Sequence, residues 1–318
     1  MNTIAVKVVR KTQEAQDIAS FELASADGQA LPPFSAGSHI DVHIADGLVR
    51  QYSLCNDPAE RHRYQIAVLR DPASRGGSQA VHERIREGDL IQVSAPRNHF
   101  ELGPADDYLL LAGGIGVTPI LCMAERLAKT DACFSMHYCA RSPERAAFLD
   151  RIAGAPFNER VQLHFDAGDA AQKFDMAALL AQAGAGTHLY VCGPQGFIDH
   201  VVNSARGAGW AEERIHLEYF GAAPQDVSGD TAFEVKLASS GQVYTIPADK
   251  SVCNALLEHG IDIPISCEQG VCGTCITRVL DGTPDHRDLY FTDEEKAAND
   301  QFTPCCSRAK SGLLVLDL

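Results

Sequence analysis

No apolar run in this chain of 318 residues approaches the roughly 18 that cross a bilayer, so nothing in it predicts a membrane span. Its opening, MNTIAVKVVRKTQEAQDIASFEL, lacks the apolar centre and small-residue cleavage site of a secretion signal, and a cytoplasmic location is expected. Basic residues are scarce: 27 Lys and Arg stand against 42 Asp and Glu, a net charge of −15. Duplex nucleic acid requires a basic face, which excludes it as a partner. The deficit is uneven. Acidic and basic counts are 12 and 11 over residues 1–100, 17 and 9 over 101–233, and 13 and 7 over 234–318, so almost all of the excess acidity lies after residue 100. Internal repeats and low-complexity tracts are also absent.

An even set of cysteines is missing too. Eleven is an odd number and six of them lie singly, which argues against an extracellular disulfide framework and for reduced thiols with a metal site. The remaining five are Cys267, Cys272, Cys275, Cys305 and Cys306. Cys267-x4-Cys272-x2-Cys275 with a distant fourth cysteine has the spacing of a plant-type [2Fe-2S] centre. Four thiolates serve two irons, and their softness selects iron–sulfur over hard cations. Gly270 and Gly273 let backbone amides turn toward the sulfurs. A four-thiolate zinc site would show two short-spaced pairs, and a redox pair at Cys272 and Cys275 would leave Cys267 without a role. Cys305 and Cys306 compete as fourth ligand, and the stretch TPCCSRA favours Cys305.

Short β-rich runs separated by turn-rich pieces fill the first hundred residues (IAVKVV, HIDVHI, RYQIAVL, DLIQVSA) and predict a small antiparallel barrel, interrupted by one helix from Ser78 to Glu87. From Asp107 apolar strands alternate with helices, among them ILCMAERLA after Thr118-Pro119, PERAAFLD and MAALLAQA, which predicts a parallel sheet with crossovers. GAAPQDVSGD follows Phe220 and has the composition of a linker. A third unit opens with a hairpin and continues into a helix with Ser251 as N-cap and Gly260 beyond its end.

Gly113-Gly114-Ile115-Gly116-Val117-Thr118-Pro119 follows a buried strand and opens a helix, where glycines let a pyrophosphate approach and the helix terminus favours its charge. Cys192-Gly193-Pro194 ends a later strand at the same carboxyl edge, where open α/β sheets bind ligands. In the barrel, Arg50-Gln51-Tyr52-Ser53 puts a cation, an aromatic ring and a hydroxyl on one strand; it can hold a flavin phosphate, cover the ring and donate near its reactive nitrogen. Arg75-Gly76-Gly77-Ser78 adds a second phosphate cradle. Arg141-Ser142 follows the strand where ribose is read and could take a 2′-phosphate or cover adenine.

In order, RQYSL, RGGS, GGIGVTP, CGP, EYF and CEQGVCGTC with CCSRA resemble the phthalate dioxygenase reductase family, which includes reductase subunits of vanillate O-demethylases. The resemblance covers nearly the whole chain. It implies a multi-domain fold: an antiparallel β-barrel flavin domain over 1–102, an α/β parallel-sheet nucleotide domain over 103–223, a linker over 224–233 and an α+β β-grasp ferredoxin domain over 234–318. It further implies FMN held at its phosphate by Arg50, Gly77 and Ser78 and at its ring by Tyr52 and Ser53. FMN rather than FAD follows from the C-terminal position of the ferredoxin part. Thr118 would lie near the nicotinamide of NADH, Cys192 near the hydride-transfer locus, and Glu218 and Phe220 beside the flavin. The implied activity is an NADH-dependent reductase, monomeric, that feeds a Rieske-type oxygenase. A stand-alone ferredoxin- or cytochrome-type electron-transfer reductase serving another monooxygenase is the alternative. No general base is required. His39, His43, His62 and His82 lack metal-ligand spacing and read as core or solvated residues. The run Asp293, Glu294, Glu295 reads as a solvated helix start that could also steer a basic partner.

Overall fold

A computed structural model describes residues 3–45, 47–72, 76–130, 132–169, 172–222 and 225–318. The chain divides into two units at Phe220/Gly221. Strand alternation builds the first sheet: on β1 (Thr3–Ala15) Val6 and Val8 are fully buried while Lys7 and Val9 face out. β2 (Ile18–Ser25), β3 (Ser38–Ala45), β4 (Leu48–Ser53), β5 (Tyr64–Leu69), α1 (Gly77–Arg84), β6 (Leu90–Ser94) and β7 (Arg97–Asn98) complete it. Every ladder is antiparallel, in the order β4-β3-β6-β1-β2-β5 with β7 on β3.

That path does not close into the expected barrel. β4 and β5 are its ends, and among the described residues they are joined by an isolated bridge, Leu54 to Ile66, and a bond of 2.9 Å from the Cys55 amide to the Gln65 carbonyl, with no ladder between them. Asn56 explains why no ladder continues, since its Oδ1 takes the Gln65 amide at 2.9 Å in place of a strand carbonyl. The chain then turns through Asp57-Pro58.

The second sheet is parallel throughout, in the order β10-β9-β8-β11-β12. Its elements run β8 (Asp107–Gly113), α2 (Val117–Leu127), β9 (Cys133–Ala140), α3 (Leu149–Ala153), β10 (Val161–Phe165), α4 (Met176–Gln182), β11 (Thr187–Gly193), α5 (Gln195–Gly207) and β12 (Ile215–Tyr219). One helix differs from expectation. PERAAFLD forms a 3₁₀ turn over Pro143–Arg145, and α3 begins only at Leu149. Ala146, Ala147 and Phe148 are drawn into the core, the Ala147 amide donates to the Tyr138 hydroxyl at 3.0 Å, and Phe148 takes φ 65, which no helix tolerates.

In the second unit a mixed sheet of order β14-β13-β19-β15-β17 joins β13 (Phe233–Leu237), β14 (Val243–Ile246), β15 (Thr277–Asp281), β17 (Gln301–Phe302) and β19 (Leu313–Leu316). α6 (Val252–Leu257) is capped by Ser251, and α7 (Asp293–Ala298) by a reciprocal Thr292/Glu295 capping box. β16 (Pro284–Asp285) pairs with β18 (Arg308–Ala309) as a separate ribbon.

Both sheets of the first unit share one core, in which Ile18, Cys55 and Ala67 meet Leu110, Ile120 and Tyr138. Arg151 of α3 spans them. It donates to Glu125 of α2 at 2.6 and 2.9 Å, to Gln65 Oε1 of β5 at 2.9 Å and to the Cys55 carbonyl at 2.9 Å. Its side chain is 25% exposed and that of Glu125 18%, whereas the pair Arg206–Glu212 is 52% and 62% exposed. Removing one partner strands the other without water at the first site only. Arg151→Ala should therefore lower unfolding free energy by on the order of 3 kcal/mol, and Arg206→Ala by about 0.5 kcal/mol or less, in urea titrations. Equal losses would refute this ranking.

Candidate functional site

At the carboxyl edge of the parallel sheet the two glycine turns abut. A Cβ on Gly193 would lie 2.9 Å from the Gly113 Cα, and one on Gly113 would press on Phe197 at 2.8 Å and Pro194 at 3.0 Å. Gly116 sits against the Cys192 carbonyl so closely that no side chain fits. Gly113, Gly116, Cys192, Gly193 and Pro194 are thus gathered at the start of α2. Gly114 has φ 54 and open space where its side chain would be. Thr118 is buried and donates to the Ile115 carbonyl at 3.1 Å, and Pro119 is buried beside it. Arg141 is exposed just past β9.

Cys192 pairs in register with Glu218 across β11 and β12, and Ser53 of β4 donates to Glu218 Oε2 at 3.3 Å. Three side chains from both sheets therefore meet. Burial pushes Glu218 up to about 8, with the Ser53 hydroxyl pulling it partly back. Burial, then the neighbouring Glu218, pushes the Cys192 thiol well above its ordinary value, so it is neutral. Phe220 follows β12 and is 39% exposed, free to cover a ring.

On β4 alternation holds as expected. Arg50 and Tyr52 lie opposite Val42 and Ile40, while Gln51 and Ser53 lie opposite Asp41 and His39. Arg50 lies over Gly77, where a Cβ would sit 2.7 Å from its Cγ and Nε, so only glycine leaves room for that arm. Gly76 has φ 86 at the entry to α1, and the Ser78 hydroxyl accepts from the Asp71 amide at 3.1 Å. Tyr52 packs on the core, and burial raises its phenol. Arg75 lies outside the described residues.

His39 is a residue that sequence reading passed over. It stands opposite Ser53, is buried, stacks on His99 at 5.3 Å and leaves its Nε2 without a partner. Burial, then Arg97, pushes it down to about 4, so it is neutral. Only the β3–β4 register could have revealed it.

In the second unit Cys267, Cys272, Cys275 and Cys305 converge: Cys267 touches Cys272 and Cys305, and Cys275 touches Cys305. Backbone amides point at the sulfurs, Gln269 to Cys267 at 3.4 Å, Thr274 to Cys272 and Cys305 to Cys275. Gly270 and Gly273 both take φ 70 to aim this loop. Four thiols linked by mutual contact, with backbone amides donating to three of them, fit an iron–sulfur cluster. Contact with a neighbouring thiol, then burial, pushes Cys272 and Cys275 up, so cluster assembly releases their protons. Cys306 touches the Cys305 thiol and also meets the Thr303 hydroxyl at 3.3 Å. Cys253 of α6, which has no ligand spacing, packs against Cys275.

The family described as "2Fe-2S iron-sulfur cluster binding domain" matches residues 235–310. "Dimethylamine monooxygenase subunit DmmA-like, N-terminal domain" matches residues 96–215. The vanillate O-demethylase oxidoreductase of Pseudomonas putida is 59% identical over 98% of both chains. The solved structure described as "Phthalate dioxygenase reductase: a modular structure for electron transfer from pyridine nucleotides to [2Fe-2S]" is 41% identical, with a TM-score of 0.80 over 100% of this chain and 98% of that one. An intact type IV self-sufficient cytochrome P450 monooxygenase is 39% identical, with a TM-score of 0.84 over 99% of this chain and 41% of its own.

A Cβ on Gly273 would lie 2.5 Å from the Tyr290 ring, whereas Gly28 has φ 75 in open space. Gly28→Ala should cost about 1 kcal/mol, and Gly273→Ala a further 1–3, roughly, with loss of iron per chain measured alongside. Similar iron content in both variants would contradict the packing argument. For Glu218 a folded value of about 8 lies above that of an unfolded Glu, so the protonated form favours the fold; this contribution is full below the unfolded value and lost as pH rises through 8. In flavin-free protein, Glu218→Gln should leave the thermal midpoint unchanged near pH 4 relative to wild type and raise it by about 4 °C at pH 9. A pH-independent difference would sink the assignment.

Proposed function

The chain belongs to the phthalate dioxygenase reductase family, and from that membership we propose that it is the NADH-dependent reductase component of a two-component Rieske-type oxygenase, aromatic-ring or O-demethylating. The observation that carries the reading is end-to-end likeness to a vanillate O-demethylase oxidoreductase, 59% identical over 98% of both chains. A thiol pocket and a nucleotide-type sheet edge on one polypeptide support it.

FMN suits the first sheet, because the Arg50–Gly77 contact and the left-handed Gly76 form a phosphate cradle that a Cβ would fill. Gln51, Tyr52 and Ser53 would line its ring, with Ser78 and Arg75 at the phosphate and Phe220 over the ring. NADH would lay its pyrophosphate on Gly113, Gly114 and Gly116, its nicotinamide near Thr118, Pro119 and Cys192, and its adenosine near Arg141; Gly193 and Pro194 would border it. A bound flavin would supply the exchange between a two-electron hydride donor and a one-electron cluster. Ser53, Glu218 and Cys192 would present neutral groups beside its ring. Cys267, Cys272, Cys275 and Cys305 hold the cluster, with amides donating to their sulfurs.

We assign the first sheet to residues 1–102 as the flavin domain, residues 103–223 to NADH, 224–233 to the linker and 234–318 to a β-grasp ferredoxin domain, in a monomeric cytoplasmic protein. No helix among the described residues is long and apolar enough to cross a membrane. A second reading is favoured by the likeness to a P450 protein, in which a homologous region makes up 41% of the chain: the same module could serve a cytochrome-type monooxygenase.

Anaerobic titration of the holoprotein with NADH should bleach flavin absorbance and then the cluster, and cytochrome c should be reduced without any organic substrate being hydroxylated. Absent bleaching, or hydroxylation without a partner, would overturn the proposal. Cys305→Ser should abolish the cluster spectrum and Cys306→Ser retain it; the reverse result would move the fourth ligand to Cys306. Reconstitution with a Rieske oxygenase against a P450 separates the two readings.

A further inference from the structure

Cys253 stands outside the spaced set of cysteines, yet it reaches the thiol pocket in two ways. It is the second residue of α6, whose first turn is fixed by its cap, with the Asn254 amide donating to the Ser251 hydroxyl at 3.2 Å. The first amides of a helix have no carbonyl of their own to bond. That of Cys253 is directed out of the helix, to the Pro304 carbonyl at 3.2 Å, and Pro304 immediately precedes Cys305. The side chain runs to the other side of the pocket, where its sulfur touches that of Cys275. Cys275 and Cys305 in turn touch one another, so one helical residue is bound to both flanks of that contact.

The contact of Cys253 with Cys275 is dry. Cys253 is 4% exposed and Cys275 3%, and both belong to the core that holds Val252, Leu256 and Phe302. A thiol is a weak donor and a weak acceptor, so before iron binds either sulfur can donate to the other. A cysteine that ligates iron is a thiolate and can only accept. The S–H of Cys253 is then the donor of the pair, in surroundings of low dielectric that strengthen it. Reduction adds negative charge to the cluster and its sulfurs, so a donor aimed at a ligand sulfur favours the reduced state. An apolar side chain of similar size would fill the same space and give that sulfur nothing.

We propose that Cys253 is a positioning residue for the redox reaction: its S–H donates to the Cys275 sulfur, raises the reduction potential of the cluster and makes the cluster a better acceptor of electrons. The inference rests on the ligand set proposed above, in which Cys275 binds iron and Cys253 does not.

The test uses full-length holoprotein, with iron counted per chain, as wild type, Cys253→Ala, Cys253→Val and Cys253→Ser, the last of which keeps a donor. Dye-mediated potentiometric titrations are read by the EPR signal of the reduced cluster. In Cys253→Ala the ratio of reduced to oxidised cluster at a fixed potential should fall about threefold, a midpoint about 30 mV more negative at roughly 59 mV per decade. Cys253→Val should shift it in the same direction, and Cys253→Ser should restore most of the loss. Pulsed EPR before and after transfer to deuterium oxide should show one exchangeable proton coupled to the cluster in wild type and Cys253→Ser that Cys253→Ala lacks. An unchanged midpoint in the iron-replete Ala and Val variants overturns the proposal, as does an equal shift in all three, because a space-filling role does not distinguish donor from non-donor. Should Cys253→Ala alone lose iron, Cys253→Val decides; loss from both would make Cys253 a requirement for holding the cluster and would overturn its role in setting the potential. The ligand set fails separately, if Cys275→Ser keeps the visible spectrum and midpoint of the wild type.

Discussion

Arg151 carries the constraint on which the first unit depends. Side-chain packing and this guanidinium join the parallel sheet to the antiparallel one, together with a bond of 2.7 Å from the Gln16 amide to the Glu144 carbonyl and the Lys129–Asp57 ion pair. The guanidinium satisfies Glu125 on a helix of one sheet and the Cys55 carbonyl and Gln65 on strands of the other. The Cys55 carbonyl belongs to the residue two after Ser53, at the point where β4 gives out. Fixing it fixes how far Ser53 reaches toward Glu218, and the contact of 3.3 Å between them is a contact between sheets.

Glycine supplies the second constraint, in two different ways. At Gly113, Gly116 and Gly193 it permits close approach: strand ends and a helix start are packed until no Cβ fits. At Gly270 and Gly273 it permits a left-handed backbone that turns amides inward to sulfur. The cluster unit is small, and its buried core includes Cys275 and Cys305 themselves. Its stability and its cluster are therefore linked, since whatever binds the folded thiols and not the unfolded ones stabilises the fold.

Much of this was legible in the sequence because it is local. The cysteine spacing, the glycine turns, the Ser251 cap and the alternation of Arg50 through Ser53 are each set within a few residues. What was illegible depends on partners far apart in the chain. The barrel expected from evenly spaced strands stays open because Asn56 diverts the Gln65 amide, a single side-chain bond that periodicity does not register. PERAAFLD has helical spacing, yet Tyr138, on a strand, captures the Ala147 amide and breaks it. His39 passed as an ordinary histidine because its place opposite Ser53 is a matter of register between strands. The linker composition was plain, but Arg287, more than fifty positions later, grips Asp230 within it.

Burial holds three ionisable side chains of the first unit neutral. Glu218 at about 8 is mostly protonated at neutral pH, and Cys192 keeps its proton. His39 at about 4 is uncharged as well. The cluster unit by contrast carries exposed acidic residues on the first turn of α7, where the capping box and the helix dipole favour them. Neutral groups in the first unit and charged ones on α7 of the second follow from burial in the one case and exposure in the other.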